Sequence, residues 1–314
     1  MTRTEEAAEL VPEPFLTAVS RYTALQGALD GPSGQQWADR LPRLLADVLD
    51  DWELVPNGPS TSGLTALVVP VLRDGEAYAL KLAWPHLEGR DEPLALRHWD
   101  GRGAVRLVAA DPSRGALLLE RLDGTRDLTG VDLDTACEVV GALLAELNVP
   151  APQGLRRLSS FAREQAAKLT VSEGLLPRRM VERTGALVRE LTSDPQCDAA
   201  LLHTDLHYEN VLASLPGSGR PTWLAIDPHA MAGHPGFEIQ PLLRNRTDEL
   251  GTGSAFRYLT RRRLEICAEA AGIPEDEALA WSYVHSAFQA RWAAQEGDHA
   301  AVSLHIALLK ALDG

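Results

Sequence analysis

The sequence predicts an α+β fold of two lobes, a small antiparallel-sheet lobe at residues 1–121 followed by a larger, mainly helical lobe at 122–314. Two patterns point there. Between Trp52 and Glu120 the apolar residues come in runs of strand length, separated by Gly, Pro and Asp signals such as Arg73-Asp74-Gly75. After Leu122-Asp123-Gly124 they recur at spacings of three and four almost to the end of the chain. The chain is 314 residues long and 45% apolar, enough to fill a core in each lobe.

Taken in order, the first segment, to about Asp51, reads as helical, because Trp37, Leu41, Leu44, Leu45, Val48 and Trp52 make one apolar stripe. Strands are expected at Leu67–Val69, Tyr78–Leu82, Val105–Ala109 and Leu117–Leu119, interrupted by one helix over Glu92–Trp99. In the second lobe Asp132 is placed to cap a helix over Leu133–Leu147. Further helices are expected near Ser160–Leu169, Arg179–Leu191, Ala255–Ala271, Glu275–Gln295 and Ala300–Leu312. Ala199–Leu202 and Trp223–Ile226 read as short buried strands that run straight into polar residues. No internal repeat or low-complexity tract is visible.

Composition narrows the functional classes. No apolar run approaches the roughly 18 residues of a membrane span, and the opening Met-Thr-Arg-Thr-Glu-Glu is acidic where a secretion signal is basic and then apolar. Cys137, Cys197 and Cys267 are odd in number and far apart, which gives neither a disulfide framework nor a thiolate metal site. A cytoplasmic location is expected. Acidic residues outnumber basic ones by 44 to 30, so the chain as a whole repels nucleic acid and anionic membrane. The basic residues are arginines except for Lys81, Lys168 and Lys310, which singles those three out.

The chemistry concentrates in His203-Thr204-Asp205-Leu206-His207-Tyr208-Glu209-Asn210, entered from the apolar pair Leu201-Leu202 and left through Val211-Leu212. His-x-Asp with an Asn five positions after the Asp is the spacing of a kinase catalytic loop. There the Asp accepts the proton of the attacking hydroxyl and the Asn oxygen helps hold magnesium against phosphate. A second hard oxygen donor for the metal follows at the end of the next strand, Asp227. In the first lobe, alternation along Ala77–Ala83 puts Lys81 on a face of small residues, Ala77, Ala79 and Ala83. That face suits a flat adenine, with Lys81 reaching the phosphates. Glu92 or Glu88 is the carboxylate that holds Lys81 in place. Asn57–Gly63, with Ser60, Thr61 and Ser62, is the candidate phosphate-covering loop, though it lacks the G-x-G-x-x-G pattern.

These stretches resemble the protein-kinase-like aminoglycoside phosphotransferase family, in particular its streptomycin and hydroxyurea phosphotransferase branch. The resemblance also covers Asp100–Leu107, Leu117–Leu122, Trp223–Pro228, Gly233-His234-Pro235 and Gln240–Asn245, and so nearly the whole chain. It implies a two-lobed kinase-like fold, ATP and Mg2+ as cofactors, and a hydroxylated small-molecule acceptor of the antibiotic type. Carried over, Lys81 contacts phosphate, Glu92 positions Lys81, Asp205 is the base with His203 fixing its loop, and Asn210 and Asp227 bind magnesium. Glu120 and its successors, Leu122 among them, form the hinge that meets adenine through backbone groups. Two departures stand out. The family's His-Gly-Asp becomes His203-Thr204-Asp205, and His234 and Glu238 replace two aspartates. Glu238 falls where an aspartate normally braces the catalytic loop.

Two other readings compete. His203, Asp205 and His207 alternate as zinc ligands do on a strand, the pattern of a metal-dependent hydrolase. Glu238 and the weak phosphate loop are what a pseudokinase, a binding module without phosphoryl transfer, would show. Trp281, His285 and Trp292 lie on one helical face, where they either pack the core or line an acceptor pocket.

Overall fold

Alternation decides the first sheet. In the computed structural model, which describes residues 2–22, 31–171 and 174–313, β3 (Ala66–Arg73) buries Leu67, Val69 and Val71, and β4 (Glu76–Ala83) buries Leu80 and Leu82 on the same side. Residues 23–30 of the helical first segment lie outside the described residues. Three helices cover the buried side: α1 (Arg3–Glu9), α2 (Glu13–Val19) and α3 (Gly34–Asp51). Phe15, Trp37, Leu41, Leu45 and Val48 meet the strand residues there. Each large apolar side chain buried this way contributes roughly 1.5–3 kcal/mol.

The sheet runs β1 (Val55–Pro56), β3, β4, β6 (Ala116–Glu120) and β5 (Leu107–Asp111), antiparallel throughout, with β2 (Thr61–Ser62) also paired on β3. β4 lies beside both β3 and β6, with Lys81 opposite Val68 and Leu117. Helix α4 (Glu92–Trp99) follows β4 and starts at the predicted residue. The strand β7 (Leu122–Asp127) pairs in a second sheet with β9 (Val211–Ser214) and β10 (Trp223–Ala225).

Two units divide the chain, one of residues 1–123 with 214–221, the other of 124–213 with 222–314. The sequence places 214–221 in the second lobe, yet this excursion between β9 and β10 belongs with the first unit. Arg220 explains why: it donates to the Glu120 carboxylate and to the carbonyls of Gly101 and Ala104.

The second unit is built on α5 (Leu133–Leu147), α6 (Leu158–Val171), α7 (Arg178–Leu191), α9 (Ser254–Ala271), α10 (Glu275–Gln295) and α11 (His299–Leu312). Asp132 caps α5 as expected, accepting from the backbone of Asp134 and Thr135. α10 carries the core: Trp281, Val284 and Phe288 pack with Leu158, Leu202, Met231 and Phe237. Against this core lies a two-stranded ribbon of β8 (Ala200–Leu202) and β11 (Met231–Gly233), followed by the short helix α8 (Gln240–Leu243). No helix among the described residues is long and apolar enough to cross a membrane.

α5 and α9 approach closely at Gly141, where a Cβ would lie 2.5 Å from the Cys267 carbonyl oxygen and 2.6 Å from the Ala270 Cβ. Alanine there gains about 1 kcal/mol of helix propensity, but the clash with a neighbouring helix costs roughly 1–3 kcal/mol or more. Gly141→Ala is therefore expected to lower the midpoint of denaturant unfolding; a midpoint equal to or above the wild type would contradict this packing.

Candidate active site

In the first unit the Lys81 ammonium donates to both Glu92 carboxylate oxygens at 2.7 Å. Both side chains are buried, with Lys81 6% and Glu92 2% exposed. This resolves the choice of partner: Glu92 holds Lys81, while Glu88 sits one turn earlier, ahead of a short 3₁₀ segment. A buried cation with a carboxylate already beside it is held at a fixed place. The Asn57–Gly63 stretch is in part a strand edge, with Thr61 and Ser62 opposite Val68 and Leu67 and the Ser60 hydroxyl donating to the Leu10 carbonyl. The Glu120 N–H donates to Arg106 O and its carboxylate accepts from the Arg106 N–H and from Arg220. Leu122 is buried at the start of β7.

In the second unit, β8 ends at Leu202 and delivers His203 into a loop that is tied down on every side. The His203 ring, 1% exposed, donates from Nε2 to Ile226 O at 2.8 Å. That fixes the tautomer, and Nδ1 accepts the Asp205 N–H at 3.3 Å. Burial pushes the imidazole pKa down to about 4, so the ring is neutral near pH 7. With Nε2–H donating to Ile226 O and the Nδ1 lone pair accepting the Asp205 N–H, His203 is a loop-fixing residue with no nitrogen lone pair left for a metal. The zinc-hydrolase reading therefore fails, and among the described residues no three His, Cys, Asp or Glu side chains converge as a metal site.

Glu238 performs the bracing. It is 4% exposed, and its two oxygens accept the backbone N–H groups of His203 at 2.5 Å and Thr204 at 2.7 Å. The longer carboxylate thus spans two adjacent amides. Its neighbour His234 serves the 3₁₀ turn that carries Glu238: Nδ1 accepts the Gly236 N–H at 3.1 Å, the job an aspartate does at a helix start, and Nε2 faces Glu277 at 3.2 Å. Both departures from the usual aspartates are accommodated by hydrogen bonds of the same kind.

Thr204 has φ +61°, the left-handed region that a glycine enters freely. A β-branched residue there carries roughly 1–2 kcal/mol of strain. Its hydroxyl donates to His229 O at 2.8 Å, which returns about 0.5–1.5 kcal/mol.

Asp205 and Asn210 come together as the spacing implied. Asn210 Nδ2 donates to Asp205 O at 2.9 Å and lies 3.4 Å from Asp205 Oδ2. Asp227 follows at once, because the Ile226 N–H donates to Asn210 O at 2.9 Å and β9 pairs with β10 up to Ala225. With the Asn210 nitrogen committed to Asp205, the Asn210 amide oxygen and the Asp227 carboxylate are oxygen donors of the hard kind magnesium takes. His207 stands 3.8 Å from Asp205 Oδ2, and burial lowers its pKa. One partner of Asp205 escaped the sequence reading: Arg244 Nη2 lies 2.5 Å from Oδ1. Trp281 and His285 pack inside the unit, the His285 ring stacked on Phe237 at 4.0 Å, so the core-packing alternative holds for them.

A small antiparallel sheet holding a paired lysine, and a helical unit holding a His-x-Asp loop with Asn and Asp beside it, define the kinase-like phosphotransferase class. The family model described as aminoglycoside/hydroxyurea antibiotic resistance kinase matches residues 51–297. A streptomycin 6-kinase of Streptomyces glaucescens is 38% identical over 97% of this chain and 97% of its own. A hydroxyurea phosphotransferase of Kitasatospora aureofaciens is 39% identical over 90% of this chain and 82% of its own. Among solved structures, a choline/ethanolamine kinase family protein of Mesorhizobium loti aligns over 86% of this chain and 94% of its own, with a TM-score of 0.60 and 17% identity. The chain belongs to the aminoglycoside/hydroxyurea antibiotic resistance kinase family.

Two outcomes follow from the braced loop. Burial lifts the Glu238 pKa from 4.5 to about 7, outweighing the two N–H bonds that favour its ionised form. The folded state then holds a proton that the unfolded state releases, so this group's contribution to stability is complete below about pH 4.5 and is lost as pH rises to about 7. Between those limits Glu238→Gln is expected to remove that part of the pH dependence; unfolding curves of variant and wild type that stay parallel would contradict it. At the neighbouring position Thr204→Val keeps the strain and loses the hydroxyl, whereas Thr204→Gly loses both. The valine variant is expected to be the less stable by about 1 kcal/mol, and the reverse order in thermal unfolding would exclude strain at Thr204.

Proposed function

We propose that this chain transfers the terminal phosphoryl group of ATP to a hydroxyl of a small antibiotic-type molecule, aminoglycoside-like or related, with Asp205 as the base. The observation that carries the reading is the second unit's loop, whose backbone Glu238 braces at His203 and Thr204, where Asn210 binds Asp205 and also accepts the N–H of Ile226, the residue before Asp227. Asp205 accepts the hydroxyl proton and orients the oxygen toward phosphorus. Lys81, held by Glu92, contacts the phosphates, and backbone groups at and after Glu120, including Leu122, meet adenine. Since the Glu120 N–H already donates to Arg106, the later residues of that segment supply the donors. Thr61 and Ser62 flank the phosphates. Asn210 and Asp227 hold Mg2+, whose charge offsets that of the phosphates. Kinship with a streptomycin 6-kinase and a hydroxyurea phosphotransferase supports an acceptor of that class.

The pseudokinase alternative rested on Glu238 as a broken brace and on the weak phosphate loop. Both Glu238 carboxylate oxygens engage the loop backbone, which removes the first of these grounds; kinship with named kinases speaks against the alternative as a whole.

Asp205→Ala is expected to reduce phosphoryl transfer by at least 10³-fold, because proton acceptance and hydroxyl orientation are lost together. Nucleotide binding, measured by calorimetry with magnesium, is expected to persist. Turnover within tenfold of the wild type would remove Asp205 from the role.

A further inference from the structure

The segment that begins at Glu238 grips the catalytic loop twice. Glu238 holds the backbone of His203 and Thr204, and six residues later Arg244 reaches the side chain of the next residue, Asp205. Between them Leu242 and Leu243 are fully buried in α8 and set the root of the arginine. We propose that Arg244 is a positioning residue for phosphoryl transfer. It fixes the Asp205 carboxylate through Oδ1 and leaves Oδ2 as the atom that accepts the hydroxyl proton. This rests on Asp205 being the base.

The geometry separates the two oxygens. Oδ1 is 2.5 Å from Arg244 Nη2, a charge-assisted contact. Among the described residues Oδ2 has longer polar contacts, Asn210 Nδ2 at 3.4 Å and His207 Nε2 at 3.8 Å. A substrate hydroxyl therefore meets less competition at Oδ2 than at Oδ1.

The arginine's surroundings direct its charge toward Asp205. Its Nε is buried without a hydrogen-bond partner. Three histidines feel its charge: His207, whose pKa burial chiefly lowers, and the buried His285 and His305, whose pKa values fall to about 3 and about 4, with the Arg244 charge among the causes after burial itself. All three stand neutral near pH 7 and add no charge that competes for Asp205 or offsets the guanidinium. Anchoring one oxygen narrows the rotamers open to the carboxylate, and misplacing a reacting group by about 1 Å costs on the order of 100-fold in rate.

The test measures steady-state transfer from ATP to streptomycin or hydroxyurea, whichever the wild type phosphorylates. Arg244→Gln is expected to lower kcat about 100-fold while leaving the KM for ATP and the thermal midpoint near wild type. Arg244→Lys is expected to recover part of the loss, and ethylguanidinium added to Arg244→Ala to restore activity in a saturable way. Wild-type kcat in Arg244→Gln would overturn the proposal, as would an unchanged kcat with a raised KM, which would make Arg244 a binding residue. Should the glutamine variant unfold, Arg244→Lys decides: wild-type-like folding with kcat reduced and KM kept supports the role, and full activity opposes it. A wild type that transfers no phosphoryl group would instead defeat the kinase reading on which the proposal depends.

Discussion

One carboxylate holds the catalytic loop in shape. Glu238 is buried where an ionised group is costly, and it is kept there by accepting two consecutive backbone amides. Those amides open the turn in which Thr204 adopts a left-handed conformation, and that turn aims Asp205. The rest of the loop leans on it: the His203 ring bridges Ile226 O and the Asp205 N–H, the Thr204 hydroxyl reaches His229, and Asn210 ties back to Asp205. Strain of roughly 1–3 kcal/mol persists at such a position only where its surroundings over-determine it. Here six side-chain hydrogen bonds from four residues do so.

The Lys81–Glu92 pair in the first unit answers a different constraint. A buried ion pair gives little net stability relative to apolar residues of the same size, because desolvation offsets attraction, whereas losing one partner costs about 3–5 kcal/mol. Fold stability alone therefore gives no reason for Lys81 on that strand face. The proposed contact with phosphate would give one, and Ala79 and Ala83 are its small neighbours on the same face of β4.

Much of this architecture is legible in the chain because its signals are local. The Asp132 cap sets the start of α5, helical spacing marks α10 over Glu275–Gln295, and alternation assigns the two faces of β4. What the sequence conceals is tertiary. β1, β2 and β11 are two or three residues long, too short for any period to show. β7 hides in a Gly-containing polar run that reads as a turn. Arg220 and Glu120 are separated by 100 positions, and no spacing rule joins them. In the site, the Asp205, Asn210 and Asp227 set could be read from spacing, since a loop and the next strand fix it. Glu238 was visible only as a departure from aspartate. Its grip on two amides, and the reach of Arg244 from a four-residue helix, depend on how residues 234–245 fold back on the loop.

The central claim is that these parts perform phosphoryl transfer to a small-molecule hydroxyl. The most direct measurement is phosphorus NMR of the wild-type protein with magnesium, ATP and either streptomycin or hydroxyurea. The expected result is loss of the γ-phosphate resonance matched, one for one, by ADP and by a new phosphoester resonance on the acceptor. ADP accompanied only by inorganic phosphate, or ATP left unchanged with every hydroxylated antibiotic tried, would contradict it.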